Sequence, residues 1–175
     1  MSEFPNELPD QIKAWIGQTV VIDQADVLVE RGLIENFCSA VQDGNPLYWD
    51  EATANELAGG LISPPAMMSA YNRPHDWAPG REGKKINRPL ELHFMVKDGL
   101  QLPRGIVSAN EIEFREPVRP GDKLTAEQSL REVSEIKTNK LGTGRSWTID
   151  VTYKRQDGEI VGIETTHFFG YGGEQ

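Results

Sequence analysis

Asp43-Gly44-Asn45-Pro46-Leu47-Tyr48 is the stretch on which the reading of this chain turns. Just before it, Ile34, Phe37, Cys38 and Val41 repeat at i, i+3, i+4 and i+7, the apolar stripe of an amphipathic helix expected over about 26–42. Gly44 is the expected C-terminal stop, so Asp43 falls at a helix end and Pro46 forces the next turn. The hexapeptide therefore sets a carboxylate and a phenol five residues apart. A histidine at the second position, with a pKa of about 6.5, would accept a proton at neutral pH, whereas a tyrosine near 10 is about 0.1% ionised there. Using the Tyr48 phenolate as a base would cost roughly 4 kcal/mol, about a thousandfold in rate, unless a nearby cation lowered its pKa. The stretch reads first as a marker of fold.

Working outward, Asp50 is the expected N-cap of a second helix that runs to about Leu57 and ends at Gly59-Gly60. Ser63-Pro64-Pro65 opens a third, with Ser63 as cap and Pro64 at the first helical position. It carries Ala66, Met67, Met68 and Tyr71 and is expected to end at Arg73-Pro74. Towards the N-terminus, Gln18 to Ile22 reads as a short strand. Residues 1–17 form a lead-in kept extended by Pro5 and Pro9 and anchored by Trp15 and Ile16.

Beyond residue 90 the period becomes two. Leu92, Phe94 and Val96 alternate with Glu91, His93 and Met95, which predicts a strand. The segment 106–114 sets Ile106, Ser108, Asn110, Ile112 and Phe114 on one face, and Leu124, Ala126 and Leu130 mark another strand. Trp147, Ile149, Val151 and Tyr153 alternate with polar residues, Gln156-Asp157-Gly158-Glu159 predicts a hairpin turn, and 160–169 returns. Helices followed by an antiparallel meander make the expected class α+β.

At 175 residues the chain is long enough for one full hydrophobic core, and no internal repeat or linker divides it, so a single domain over 1–175 is expected. Hydrophobic residues are 38%, no run reaches membrane-spanning length, and the start lacks the pattern of a signal peptide, so a cytoplasmic, soluble protein is expected. A net charge of −9 argues against nucleic acid or an anionic membrane as the main partner. The single Cys38 excludes an internal disulfide and reads as a buried structural thiol. His75, His93 and His167 show no metal-ligand spacing, so no metal is expected, and His93 and His167 read as structural strand residues. Gly142-Thr143-Gly144 lacks the third glycine and following helix of a nucleotide loop and reads as a hairpin loop. The alternating acids of Glu111-Ile112-Glu113 read as a solvated sheet face.

The hexapeptide resembles the Asp-x-Asn-Pro-aliphatic-His signature of MaoC-like and (R)-specific enoyl-CoA hydratases, with Asp43 in the Asp place and Tyr48 where the His stands. Ile34 to Tyr48, Gly59 to Met68 and Leu102 through Tyr153 resemble the N-terminal hot dog domain of MaoC-like, fatty-acid-synthase-type dehydratases. Ile62-Ser63-Pro64-Pro65-Ala66-Met67, Leu102-Pro103-Arg104-Gly105-Ile106-Val107, Val118-Arg119-Pro120-Gly121-Asp122 and Lys137 to Arg145 are similar to the hot dog half of heteromeric enoyl-CoA hydratases acting on steroid side-chain thioesters. The resemblance implies an antiparallel sheet wrapped around a short central helix and paired with a second hot dog, as a homodimer or as a heteromer with a catalytic subunit. It implies a chain that binds acyl-CoA and lacks the catalytic histidine, with Asp43, Asn45 and Tyr48 as supporting or vestigial site residues.

Hydration of a 2-enoyl thioester needs a base for water, an acid for C2 and donors on the thioester oxygen. The resemblance matches Ala66 to the family's oxyanion position, though two prolines before it offer no N–H, and a plain helix start is the competing reading. No separate cofactor is implied, coenzyme A entering as part of the substrate. Two basic clusters, Arg81/Lys84/Lys85/Arg88 and Lys137/Lys140/Arg145, are candidates for its phosphates, with Lys84, Lys85, Arg88, Lys140 and Arg145 as the named residues. A short helix cut at Pro74 implies room inside the sheet for a bulky acyl group. The alternatives are an autonomous homodimeric hydratase, an acyl-CoA thioesterase and a non-catalytic acyl-CoA-binding scaffold.

Overall fold

In the computed structural model, residues 5–83 and 86–172 are described. Strands β1 (Thr19–Gln24), β2 (Arg104–Phe114), β3 (Thr125–Val133), β4 (Lys137–Asn139), β5 (Gly142–Lys154) and β6 (Ile160–Gly172) form one antiparallel sheet. Their order is β1-β3-β5-β6-β2, with β4 paired to β5. Helices α1 (Asp10–Trp15), α2 (Arg31–Val41), α3 (Pro46–Trp49), α4 (Glu51–Ala58) and α5 (Glu91–Gly99), with a 3₁₀ helix at Pro65–Ala70, complete an α+β architecture of the hot dog type.

Alternation in β5 decides which face is inside. Trp147, Ile149, Val151 and Tyr153 are all buried and look towards the helices. Cross-strand partners share a face, so Leu130, Gln128 and Ala126 of β3 and Phe168, Thr166, Glu164 and Gly162 of β6 lie on that inner face too. Glycines let backbones approach here: a Cβ on Gly144 would stand 1.8 Å from the Gly170 carbonyl oxygen.

The period-two reading of 91–96 is overturned, because these residues are α5. Leu92 and Val96, four apart, are fully buried, and α5 packs over β1 and β3. Its start is set by tertiary partners: Leu90 turns left-handed at φ 53, and the Leu92 amide donates to Gln128 Oε1 at 3.1 Å. Gln128 in turn donates to Asp23 Oδ2 at 2.9 Å, and Asn87 donates to Asp23 Oδ1 at 2.9 Å. His93 is thus a helix residue, stacked on Trp147 and Phe168 with ring centroids 5.4 and 4.2 Å away. α5 thus covers part of the inner face from above β1 and β3, with His93 reaching Trp147 and Phe168, so the Ser63 helix is not the only helix over that face.

Other expectations shift for local reasons. The first long helix begins at Arg31, not near 26, and stops because Gln42 goes left-handed at φ 59, ahead of Gly44. Val41 is 55% exposed despite its place in the stripe. Ser63 caps nothing, since Pro64 takes the cap position, and the helix ends at Ala70, before Arg73-Pro74. The lead-in contains α1 and is anchored by the fully buried Ile12 together with Trp15, which packs against the core, while Ile16 is exposed. The hairpin loop before β5 is Lys140-Leu141, and Gly142 to Gly144 already belong to the strand. In β2 a bulge between Val107 and Ala109 splits the single face read from sequence: Ile106 pairs with the outer Phe169, whereas Asn110, Ile112 and Phe114 stay inside. No helix among the described residues is long and apolar enough to cross a membrane.

Candidate active site

The Asp43–Tyr48 turn is built from backbone donors that find partners within six residues. The Asp43 amide returns to the Cys38 carbonyl at 2.8 Å, closing α2. Asp43 Oδ1 then accepts from the Asn45 amide at 3.0 Å, and Asn45 Oδ1 accepts from the Leu47 amide at 3.1 Å, so Asn45 is the N-cap of α3 with Pro46 in its first turn. Trp49 Nε1 donates to the Asp43 carbonyl at 2.8 Å and pins the turn from outside. Asp50 caps α4 through Thr53 N at 2.7 Å, as its sequence position predicts.

Asp43, Asn45 and Tyr48 are thereby gathered in one turn. Tyr48 is buried, and burial first and the Asp43 carboxylate second push its phenol above the ordinary tyrosine value, with the Asn45 side chain opposing. Among the described residues none of the groups acting on it is cationic, so no neighbour there lowers its pKa towards that of a base. The neighbouring Cys38 thiol is fully buried and raised by the same two causes, which makes it an inert thiol.

Ala66 lies on a separate segment, exposed, in the first turn of the 3₁₀ helix. That segment is tied to the turn through the Ile62 amide and the Leu47 carbonyl at 3.3 Å, and to the strand side through the Ser63 amide and the Val118 carbonyl at 2.7 Å. Ser63 Oγ shares a 3.0 Å hydrogen bond with the buried Tyr71 hydroxyl, so Ser63 is a buried structural hydroxyl. Among the described residues no hydrogen bond joins Ala66 to Asp43 or Tyr48.

The basic candidates part company. Arg145 is buried at 4% exposure and donates to the carbonyls of Ser134 at 2.9 Å and Asn6 at 2.5 Å, so its guanidinium is engaged in fastening the lead-in. Arg88 pairs with Glu91 at 2.9 Å and lies 4.0 Å over the Phe94 ring. Arg81 is held by Asp26. Lys140 is exposed at the tip of the β4–β5 hairpin, and Lys84 and Lys85 lie outside the described residues. Among the described residues no group of three or more potential ligands could hold a metal ion.

Sequence reading missed one inner-face cluster. Glu164 accepts from Asn110 Nδ2 at 2.8 Å and from the Tyr153 hydroxyl at 2.9 Å, and Thr166 Oγ1 also accepts from Asn110 at 2.9 Å. The visible signal was a polar Asn110 among apolar residues on its face of β2.

Residues 14–164 match the family described as FAS1-like, dehydratase domain region. A probable enoyl-CoA hydratase alpha subunit of Thermomonospora curvata is 26% identical over 156 residues, 88% of this chain; the chain spans about half of that relative, 49% of its length. Among solved structures, the ChsH1-ChsH2 complex of Mycobacterium tuberculosis is similar with a TM-score of 0.72 at 23% identity, covering 94% of this chain and 90% of the other. The 3R-hydroxyacyl-ACP dehydratase HadBC of the same organism is similar at 0.55 and 20%, covering 86% and 95%. A MaoC-like dehydratase of Rhodospirillum rubrum gives 0.57 and 22%, covering 89% and 93%. With the antiparallel sheet, the inner helix and the Asp43–Tyr48 turn all in place, this chain belongs to the FAS1-like dehydratase domain family.

Proposed function

We propose that this chain is the acyl-CoA-binding hot dog subunit of a 2-enoyl-CoA hydratase, incomplete alone, whose catalytic histidine comes from a second hot dog chain. The observation that carries this is Tyr48: a buried phenol beside a carboxylate is ionised even less at neutral pH than a free tyrosine, so almost no phenolate is present to take a proton. Heteromeric relatives of this fold support a partner, as does β2, an edge strand with all eleven residues exposed and Ile106, Val107, Ile112 and Phe114 among them. An unpaired edge of that length is a template for strand addition. Asp43 and Asn45 would then support the shared site, the Ala66 amide would face the thioester oxygen, and Lys84, Lys85 and Lys140 would meet the phosphates of coenzyme A. An acyl-CoA substrate goes with a cytoplasmic location. For the acyl group, only the sequence resemblance favours a steroid side chain, since α5 has removed the argument from a short helix.

The test is hydration of crotonyl-CoA and of a steroid-side-chain enoyl-CoA by the purified chain, alone and with a hot dog subunit carrying the intact histidine signature, following enoyl absorbance and free thiol. Binding without turnover alone, and turnover with the partner, is expected. Turnover by the chain alone, abolished by Asp43→Ala, would overturn the incomplete-subunit reading, and release of thiol would point to a thioesterase.

A further inference from the structure

The 3₁₀ helix and α5 cover different parts of the sheet. Met68 packs on β6 at Gly162, where an added Cβ would lie 2.5 Å from its sulfur, and α5 packs over β1 and β3 with His93 against Phe168. Between these two coverings, on the inner face of β6, stand Glu164 and Thr166. Glu164 is one inner-face step, about 7 Å, beyond the position held by Met68. The segment leading into the 3₁₀ helix is tied to the Asp43–Tyr48 turn through the Ile62 amide and the Leu47 carbonyl, and Met68 within that helix packs one inner-face step from Glu164. The floor there is covered, with Tyr153 and Thr166 at 3% and 2% exposure, and it opens at the exposed Asn110, Ile112 and Phe114 of β2.

Among the described residues Glu164 has no basic partner. Its two neutral donors, Asn110 and Tyr153, occupy one lone-pair site on each oxygen and leave others open. The Thr166 hydroxyl accepts from Asn110, and its own proton has no acceptor among the described residues. The cluster therefore offers a charged acceptor and a donor side by side. That set matches a hydroxyl group, which gives one hydrogen bond and takes one; an ammonium could only give, and a plain alkyl chain would strand both.

Resting on the acyl-CoA reading above, we propose that Glu164, with Thr166 and Asn110, is a specificity site for acyl-CoA thioesters that carry a hydroxyl remote from the thioester carbon. A hydroxyl that pairs with the half-buried Glu164 and the buried Thr166 is favoured over the analogue that lacks it, which leaves the Thr166 proton without an acceptor.

Titration calorimetry on the full chain with octanoyl-CoA against ω-hydroxyoctanoyl-CoA, and dodecanoyl-CoA against ω-hydroxydodecanoyl-CoA, tests this. The hydroxylated member of at least one pair is expected to bind about tenfold tighter. Glu164→Ala should erase that preference, and the isosteric Glu164→Gln, with circular dichroism as a check on folding, should reduce it. Equal binding of both members of both pairs, or a preference that survives in both variants, overturns the site and leaves acyl-CoA binding standing. A change in self-association with no change in preference would reassign Glu164 to the partner interface. Binding of none of the four thioesters overturns the acyl-CoA reading and this site together.

Discussion

The carboxylate of Asp43 bears on the phenol of Tyr48 across a turn that also holds Asn45, and its charge adds to burial in keeping that phenol protonated. The turn gathers the two side chains, yet the phenol stays protonated near neutral pH.

Tyr48→His should therefore restore a base. Crotonyl-CoA hydration by the isolated variant is expected to rise by up to about a thousandfold over the parent chain, with a rate that increases through about pH 6.5 and then levels. Following enoyl absorbance from pH 5 to 8 checks it; an unchanged rate would mean that the turn lies away from the bound thioester.

Asn45→Ala removes the side-chain acceptor for the Leu47 amide and leaves the start of α3 uncapped. A loss of about 1 kcal/mol in urea-unfolding stability is expected, with most of it retained in Asn45→Asp, which keeps an oxygen in place.

His93 is a pH-dependent liability. Burial first, and the charge of Lys97 second, lower its pKa from 6.5 to about 4, and its Nδ1 has no partner among the described residues. The unfolded chain binds a proton below about 6.5 that the folded chain refuses until about 4, so this group's contribution to stability falls as pH drops across that window and is level outside it. His93→Phe should flatten the difference between unfolding midpoints at pH 7 and pH 5; an undiminished difference would assign the pH dependence elsewhere.

Two glycines should respond in opposite directions. Gly144→Ala drives a methyl into the Gly170 carbonyl oxygen and should cost about 3 kcal/mol or more. Gly32→Ala, in α2 with nothing within 4 Å of the added carbon, should stabilise by about 0.5 to 1 kcal/mol. Thermal unfolding of both variants beside the parent separates close approach from chain entropy.

Much of the fold was legible because its causes are local. The strand at Trp147–Tyr153, the turn at Gln156–Glu159 and the Asp50 cap each follow from spacing within a few residues, and the structure has all three. Residues 91–96 were misread because six alternating residues cannot separate a period of 2 from one of 3.6. The decision came from Gln128, thirty-six positions away, which bonds the Leu92 amide. Arg145 was misread for the same reason: charge and position suggested a phosphate ligand, but the carbonyls of Asn6 and Ser134 reach it only after folding.

By itself the sequence determined the class of the fold and the turn at Asp43–Tyr48, since both rest on short-range spacing, proline and glycine chemistry and the intrinsic basicity of tyrosine against histidine. Only the tertiary structure decided which side of β2 each residue takes, that residues 91–99 form a helix packed over β1 and β3, and that Glu164, Asn110 and Tyr153 meet on the inner face. A single bulge at Ser108 and pairings between separate elements set those outcomes, and neither leaves a mark in local periodicity.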